Sequence, residues 1–176
     1  GASNGGFMSY LLAVELPGTF AAVAPVMATM PKAIADQANE TAAVPIMIVH
    51  GTEDPVVPYD GWEIEAGPNG TREVLPIPET AQFWARLNGA AESPETIELA
   101  DTVTDDGTRV IRDEYPGAKP VVELRIVGGG HTWPGGKRLW PEFIVGRISR
   151  DVNATEMIFS DSQPALKSHP PNRSKN

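Results

Sequence analysis

The sequence predicts an α/β fold with a mainly parallel sheet flanked by helices. Apolar residues recur at helical spacing in residues 4–16 and 79–88, whereas residues 20–26 and 44–49 form short apolar runs typical of buried strands, and residues 121–127 are another predicted strand. Helix, strand, helix and strand therefore alternate along the chain, and this alternation is typical of α/β proteins. With 176 residues and no internal repeat, the chain is expected to form one domain.

The elements of the first half are bounded by clear stop signals. The helix at residues 4–16 ends at Pro17-Gly18, and the apolar residues 20–26 are expected to form a buried parallel strand. Residues 27–43 have no clear periodicity, so they are predicted to be irregular or weakly helical and to cover a site. Residues 44–49 form the clearest strand of the sequence, which ends at His50-Gly51.

The second half is divided by glycine and proline. Seven of these residues between positions 51 and 77 predict a long loop, and Asp105-Asp106-Gly107 is a strong hairpin turn. Residues 1–160 are expected to form the folded part of the chain, and the polar residues 161–176 are expected to be a disordered tail. The remaining predicted elements are a helix at 79–88, a hairpin of 95–104 with 108–115, a strand at 121–127 and a helix at 151–159.

Charge and composition exclude several classes of function. The formal net charge of −9 disfavours nucleic acids and anionic membranes as partners. The chain has no cysteine, which excludes a disulfide framework, a thiolate metal site and a cysteine nucleophile. No apolar run approaches the roughly 18 residues that a membrane span needs.

The chain begins with a G-x-S-x-G pattern, Gly1-Ala2-Ser3-Asn4-Gly5, followed by a predicted helix. In a nucleophile elbow the serine lies on a strained turn between strand and helix, so small neighbours such as Gly1 and Gly5 are expected. The backbone N–H of Asn4 would then help to hold an oxyanion. The alternative interpretation is a glycine-rich turn that caps a helix.

Two further residues at predicted strand ends complete a candidate triad. Asp54 lies four residues beyond the strand that ends at His50, and His131 follows the next long strand. Ligands of α/β sheets bind at the carboxyl ends of strands, and the order Ser3, Asp54, His131 is that of α/β-hydrolases. Individually, His131 could be a loop residue and Asp54 a turn residue, and Glu53 is a rival for the acid. We expect Asp54 rather than Glu53, because Pro55 restricts the residue before it to an extended backbone and so fixes the direction of the carboxylate. His50 and Asp54 have no further metal ligand at a fixed spacing, so no metal site is predicted.

Five blocks of sequence resemble the polyhydroxybutyrate-depolymerase and feruloyl-esterase-type α/β-hydrolases, which are grouped with carbohydrate esterases. The resemblance implies that Ser3 is the nucleophile, Asp54 the acid and His131 the base. It also implies that Trp133 lines the acyl or alcohol pocket, although an aromatic plug packed under the loop is an equal alternative. The blocks are G-A-S-N-G-G-F-M-S-Y-L-L-A (1–13), H-G-T-E-D-P-V-V-P-Y (50–59), F-W-A-R-L-N-G (83–89), G-G-G-H-T-W-P-G-G (128–136) and D-V-N-A-T-E (151–156).

The resemblance implies a serine carboxylic-ester hydrolase that needs no cofactor and works through an acyl-enzyme. Expected substrates are feruloyl or acetyl esters of plant polysaccharide, or short polyhydroxyalkanoate esters, and the expected location is secreted or periplasmic. Members of this family carry further strands, and a second oxyanion donor, before the elbow. Residues 1–160 are therefore expected to be the C-terminal portion of an α/β-hydrolase domain, with those N-terminal strands missing here. The alternative hypothesis is a catalytically incomplete fragment that acts only within a longer or associating protein, with self-association through an exposed sheet edge.

Overall fold

A four-stranded sheet is the centre of the computed structural model, which describes residues 1–65 and 71–168. The strands lie side by side in the order β1 (Ile46–Gly51), β6 (Val121–Val127), β5 (Arg109–Tyr115) and β4 (Glu95–Glu98). β1 and β6 are parallel, whereas β6 with β5 and β5 with β4 are antiparallel. The fold is α/β as predicted, but the sheet is mixed, so the prediction of a mainly parallel sheet is wrong for these strands.

The lengths of the connections explain the strand directions. β5 and β6 are joined by the five residues 116–120, which are too few for the crossover that parallel neighbours need. β4 and β5 are joined by residues 99–108, which include the predicted Asp-Gly turn, so this pair forms the expected hairpin with shorter strands. The connection from β1 to β6 is long and contains a helix, and only this pair of named strands is parallel.

Two extended segments continue the sheet beyond β1. Val23 and Val26 form isolated parallel bridges to β1, and Ala2 forms one to Val26. The Ser3 N–H donates to the Val26 carbonyl over 2.8 Å. The strand predicted at residues 20–26 is therefore present only as separate parallel bridges at Val23 and Val26, because Pro25 has no N–H to donate to a continuous ladder. The residues that precede and include Ser3 are thereby fixed against the sheet.

Helices cover both faces of the sheet. On one face, α1 (Asn4–Glu15) and α3 (Ile77–Asn88) bury Tyr10 and Trp84, whose rings stack with centroids 6.2 Å apart. On the other face, Met157 and Ile158 of α5 (Ala154–Ser168) pack against a second apolar cluster around Leu124. These two cores fix the positions of the strands, and therefore of the loops that follow their carboxyl ends.

Several elements differ from the sequence prediction. The loop expected at residues 51–77 contains an antiparallel hairpin of β2 (Trp62–Glu65) and β3 (Thr71–Val74). α5 continues to Ser168, because an ion pair of 2.7 Å between Asp161 and Arg112 fixes it to β5. Residues 161–168 are therefore helical rather than a disordered tail, and residues 169–176 lie outside the described part. The short elements are α2 (Lys32–Ala35), a 3₁₀ helix at Glu40–Ala42 and α4 (Glu142–Val145).

Within residues 1–65 and 71–168, no helix has both the length and the apolar character that crossing a membrane would require. The expected self-association through a sheet edge stays a prediction.

Candidate active site

Ser3 has the backbone of a strained turn. It precedes α1 as its N-cap with φ 50° and ψ −117°, a region that residues other than glycine rarely adopt. Its position is fixed from both sides, because its N–H bonds the extended segment at Val26 and its carbonyl accepts from Phe7 in α1. Strain of this kind persists only where surrounding contacts determine the conformation, and it is concentrated at functional sites.

Close packing around Ser3 requires glycine at Gly1, as the pattern predicts, but at Gly6 instead of Gly5. A Cβ on Gly1 would lie 2.4 Å from the carbonyl oxygen of Gly5, so Gly1 must be glycine. A Cβ on Gly5 would meet no described atom within 4 Å. At the next position, a Cβ on Gly6 would lie 2.6 Å from the Cβ of Ala28. The helix therefore approaches the sheet at Gly6, and the expected steric role of Gly5 is wrong.

The three residues of the candidate triad form one hydrogen-bonded chain. His131 Nδ1 lies 2.8 Å from Asp54 Oδ2, and His131 Nε2 lies 3.0 Å from Ser3 Oγ. A carboxylate can only accept, so Nδ1 carries the ring proton and Nε2 is left to accept from the serine hydroxyl. Ser3, Asp54 and His131 are far apart in sequence, but the structure brings them together at the carboxyl ends of β1 and β6 as expected.

The loop that carries His131 is held by close backbone contact. The His131 N–H donates to the Val145 carbonyl at the end of α4. A Cβ on Gly130 would lie 2.1 Å from that same oxygen, so only glycine permits this approach. Gly130 therefore lets the end of α4 approach closely enough to fix the backbone of His131.

Asp54, rather than Glu53, faces the imidazole. Oδ1 of Asp54 accepts the backbone N–H groups of Val56 and Val57, each over 2.8 Å, which leaves Oδ2 for His131. The Glu53 side chain is 62% exposed and pairs with Arg147 over 2.9 Å. Of the two neighbouring carboxylates, only the buried one reaches His131.

His50 is a residue of this site that sequence reasoning considered only as a metal ligand. It is 1% exposed, and its Nε2 lies 2.8 Å from the Val57 carbonyl and 3.5 Å from Asp54 Oδ2. Its Nδ1 makes no hydrogen bond of normal geometry among the described residues. Burial lowers the pKa of His50 below its ordinary value, although the backbone of Ala28 lies close enough to have a small effect that raises this pKa. The signal in the sequence was its place at the end of the strongest strand, four residues before Asp54.

Asn4 has the position that an oxyanion donor needs. It is the first residue of α1, so its backbone N–H has no acceptor within the helix. The N-terminal end of a helix also carries partial positive charge, which favours a developing negative charge nearby. The role of Asn4 stays a prediction.

Trp133 packs against protein in the described part of the chain. It contacts the apolar cluster around Leu124, and its indole N–H donates to Thr155 Oγ1 over 3.1 Å. These contacts match the interpretation of an aromatic plug, and a role in lining the substrate pocket stays a prediction.

A groove of about 860 Å³ lies away from the triad, between residues 19–24 and α5, and no triad residue lines it. In the two described ranges, no three histidine, aspartate or glutamate side chains are grouped as metal ligands.

Comparison with known proteins gives two similar relatives, and no family model matches the chain. One relative is named "Putative esterase NocK", from Nocardia uniformis subsp. tsuyamanensis. It is 31% identical over 167 residues, which are 89% of this chain and 47% of the relative. The other is named "Feruloyl esterase B", from Piromyces equi. It is 28% identical over 142 residues, which are 80% of this chain and 25% of the relative.

The chain spans about half the length of the first relative and a quarter of the second. Both relatives carry the name of an esterase, and together they support an esterase family for this chain.

Proposed function

We propose that this chain carries the catalytic triad of a serine esterase, in which Ser3 is the nucleophile, His131 the general base and Asp54 the acid. The observation that carries the proposal is the continuous hydrogen-bonded chain from Ser3 Oγ through His131 to Asp54, with distances of 3.0 and 2.8 Å. A serine hydroxyl is a weak nucleophile unless an adjacent base accepts its proton. The strained turn at Ser3 and the esterase names of both relatives add support.

The proposed reaction has two halves. In the first, Ser3 Oγ bonds to the ester carbonyl carbon while its proton passes to His131 Nε2, and the carbonyl oxygen becomes an oxyanion. The oxyanion intermediate collapses, the bond to the alcohol oxygen breaks, and His131 returns the proton to the leaving alcohol. In the second, water gives a proton to His131 and attacks the acyl-enzyme, and the carboxylic acid leaves as Ser3 regains its proton.

Asp54 and Asn4 support these steps in different ways. Asp54 holds His131 in the tautomer whose Nε2 can accept a proton, and it stabilises the imidazolium that forms. The backbone N–H of Asn4, at the N-terminal end of α1, donates to the oxyanion. One such donor contributes about 2.7–4 kcal/mol in comparable sites.

The proposed substrates are feruloyl or acetyl esters of plant polysaccharide, or short polyhydroxyalkanoate esters. The name of the second relative favours the feruloyl class, since that protein is called a feruloyl esterase. The fold proposed for the whole protein is that of an α/β-hydrolase, to which the mixed sheet with helices on both faces is suited.

Covalent labelling tests the nucleophile directly. A fluorophosphonate should add one phosphonyl group to Ser3, found by mass spectrometry of the labelled peptide, because an activated serine displaces fluoride. Ser3→Ala should prevent labelling, whereas Ser9→Ala, on the exposed side of α1, should not. Release of ferulate from methyl ferulate, of acetate from acetylated xylan and of acid from 3-hydroxybutyrate oligomers would then separate the substrate classes. Labelling at another serine, or an active Ser3→Ala variant, would contradict the proposal.

A further inference from the structure

We propose that His50 is a positioning residue for the triad, which acts by fixing the loop that holds the Asp54 carboxylate. This inference rests on the proposed function. It concerns a buried histidine that contacts neither Ser3 nor His131 through a hydrogen bond and that has no place in the reaction itself.

The contacts of His50 define its tautomer. The Val57 carbonyl can only accept, and it lies 2.8 Å from His50 Nε2, so Nε2 carries a proton. The N–H of the same Val57 is one of the two donors to Asp54 Oδ1. His50 therefore holds the residue that in turn holds the carboxylate. With Oδ1 fixed in this way, Oδ2 is directed to His131.

The neutral state of His50 matters for the same reason. Asp54 Oδ2 lies 3.5 Å from His50 Nε2 and 2.8 Å from His131 Nδ1, so both rings face one oxygen. A cationic His50 would compete with the imidazolium of His131 for that oxygen. Desolvation is the largest influence on the pKa of His50 and lowers it, which keeps the ring neutral. The N–H dipole of a neutral His50 supports Asp54 without forming a competing ion pair.

A purely structural role of His50 would change the stability of the chain but not the reactivity of Ser3 in the folded protein. His50→Leu fills the same buried space but leaves the Val57 carbonyl without its donor, which lowers the stability of the folded chain. Urea unfolding of each variant measures that cost, so the effect on the reaction is judged only in variants that are folded. The loss should appear in the reactivity of Ser3.

The experiment compares three variants of the full chain, each assayed by the second-order rate of fluorophosphonate labelling at Ser3. His50→Leu removes the donor to the Val57 carbonyl. The rate should fall about ten-fold or more, which is the loss seen when the hydrogen-bond partners of metal-ligating side chains are removed. His50→Gln places an amide N–H near the position of Nε2 and should stay within about three-fold of the native rate. His50→Asn is one methylene shorter, cannot reach Val57 in the same way, and should behave like His50→Leu.

A double-mutant cycle shows whether His50 acts through Asp54. In an Asp54→Asn background, His50→Leu should cost less than about two-fold, because the group that it positions has already been changed. An equal loss in both backgrounds would contradict the inference, as would a native rate in His50→Leu. If His50→Leu fails to fold, the contrast of His50→Gln with His50→Asn decides, and equal rates for these two would overturn the proposal.

Proton NMR gives a readout that does not need a reactive serine. The His131 Nδ1–H bonded to Asp54 should give a strongly downfield resonance, identified by its absence in His131→Gln. It should be kept in His50→Gln and shifted or lost in His50→Asn. If Ser3 is not labelled in the native chain, the proposed function fails, while this resonance still tests His50. An unchanged resonance in His50→Asn would overturn the role of His50 alone.

Discussion

The carboxylate of Asp54 lies 2.8 Å from Nδ1 of His131, although 77 residues separate the two in the sequence. The contact is formed because β1 and β6 are parallel neighbours, with His50 of β1 opposite Arg125 of β6. The loops that follow the two strands therefore begin at the same edge of the sheet. Through this contact Asp54 is suited to orient the imidazole, whereas the adjacent Glu53 is exposed and pairs with Arg147.

Replacing the buried carboxylate should abolish most of the activity, whereas replacing its neighbour should not. Asp54→Asn keeps the shape of the side chain but favours the wrong tautomer of His131, so kcat for a chromogenic ester should fall about 10⁴-fold. Glu53→Gln removes only an exposed ion pair with Arg147, and the rate should change less than about two-fold. Both variants should be assayed at several pH values, and a larger loss in Glu53→Gln would overturn the assignment of Asp54.

Removing the hydroxyl of Ser3 should stop turnover without unfolding the chain. Loss of a triad nucleophile costs about 10⁴-fold or more in rate. The Ser3 side chain is only partly buried, so Ser3→Ala should have the same far-UV circular dichroism and urea midpoint as the native chain. Ser9→Ala, in the helix that follows Ser3, is the matched control and should retain full activity. Near-native turnover by Ser3→Ala would remove this residue from the mechanism.

The two glycines after Asn4 should respond in opposite directions to alanine. A Cβ on Gly5 meets open space, and alanine is the better helix former, so Gly5→Ala should raise the free energy of unfolding by about 0.5–1 kcal/mol. A Cβ on Gly6 would overlap Ala28, so Gly6→Ala should lower that free energy by about 1–3 kcal/mol. Urea unfolding measures both. Equal effects of the two substitutions would contradict the described approach of α1 to the sheet.

Glu123 should make stability depend on pH. It is 3% exposed on β6, and its Oε1 accepts the hydroxyl of Tyr59 over 2.5 Å. Burial is the largest influence on the pKa of Glu123 and raises it above 4.5; Asp113 also raises it, whereas the Tyr59 hydrogen bond and Arg125 lower it. A raised pKa in the folded state favours the protonated form, so this contribution to stability is present below pH 4.5 and is lost as the pH rises through the folded-state pKa.

Glu123→Gln is neutral at every pH and should lack that loss. The free energy of unfolding of the variant, minus that of the native chain, should therefore increase from pH 4 to pH 8 in a urea titration series. Glu98→Gln, an exposed side chain on the same sheet, is the matched control for removal of one negative charge. A difference that stays constant or decreases with pH would show that Glu123 is not the group responsible.

Local patterns predict most of the helices and strands of this chain. The helix after Ser3 and the helix that ends at Gly89 follow from apolar spacing and stop signals, and β1 and β6 follow from short runs of β-branched residues. The hairpin of β2 and β3 was missed because glycine and proline dominate its surroundings, whereas its stability comes from pairing across the loop. The end of α5 was missed because the ion pair of Asp161 with Arg112 is a contact between distant residues.

The sequence by itself determined the residue types of the candidate triad, their order along the chain and their positions after strands, because these depend only on local pattern. The tertiary structure alone decided the direction of the strands, the need for glycine at Gly6 rather than Gly5, and the contact of His50 with the acid loop. Each of these depends on which distant backbone or side chain lies within a few ångströms. Such proximity is set by packing across the sheet, and no periodicity within one segment records it.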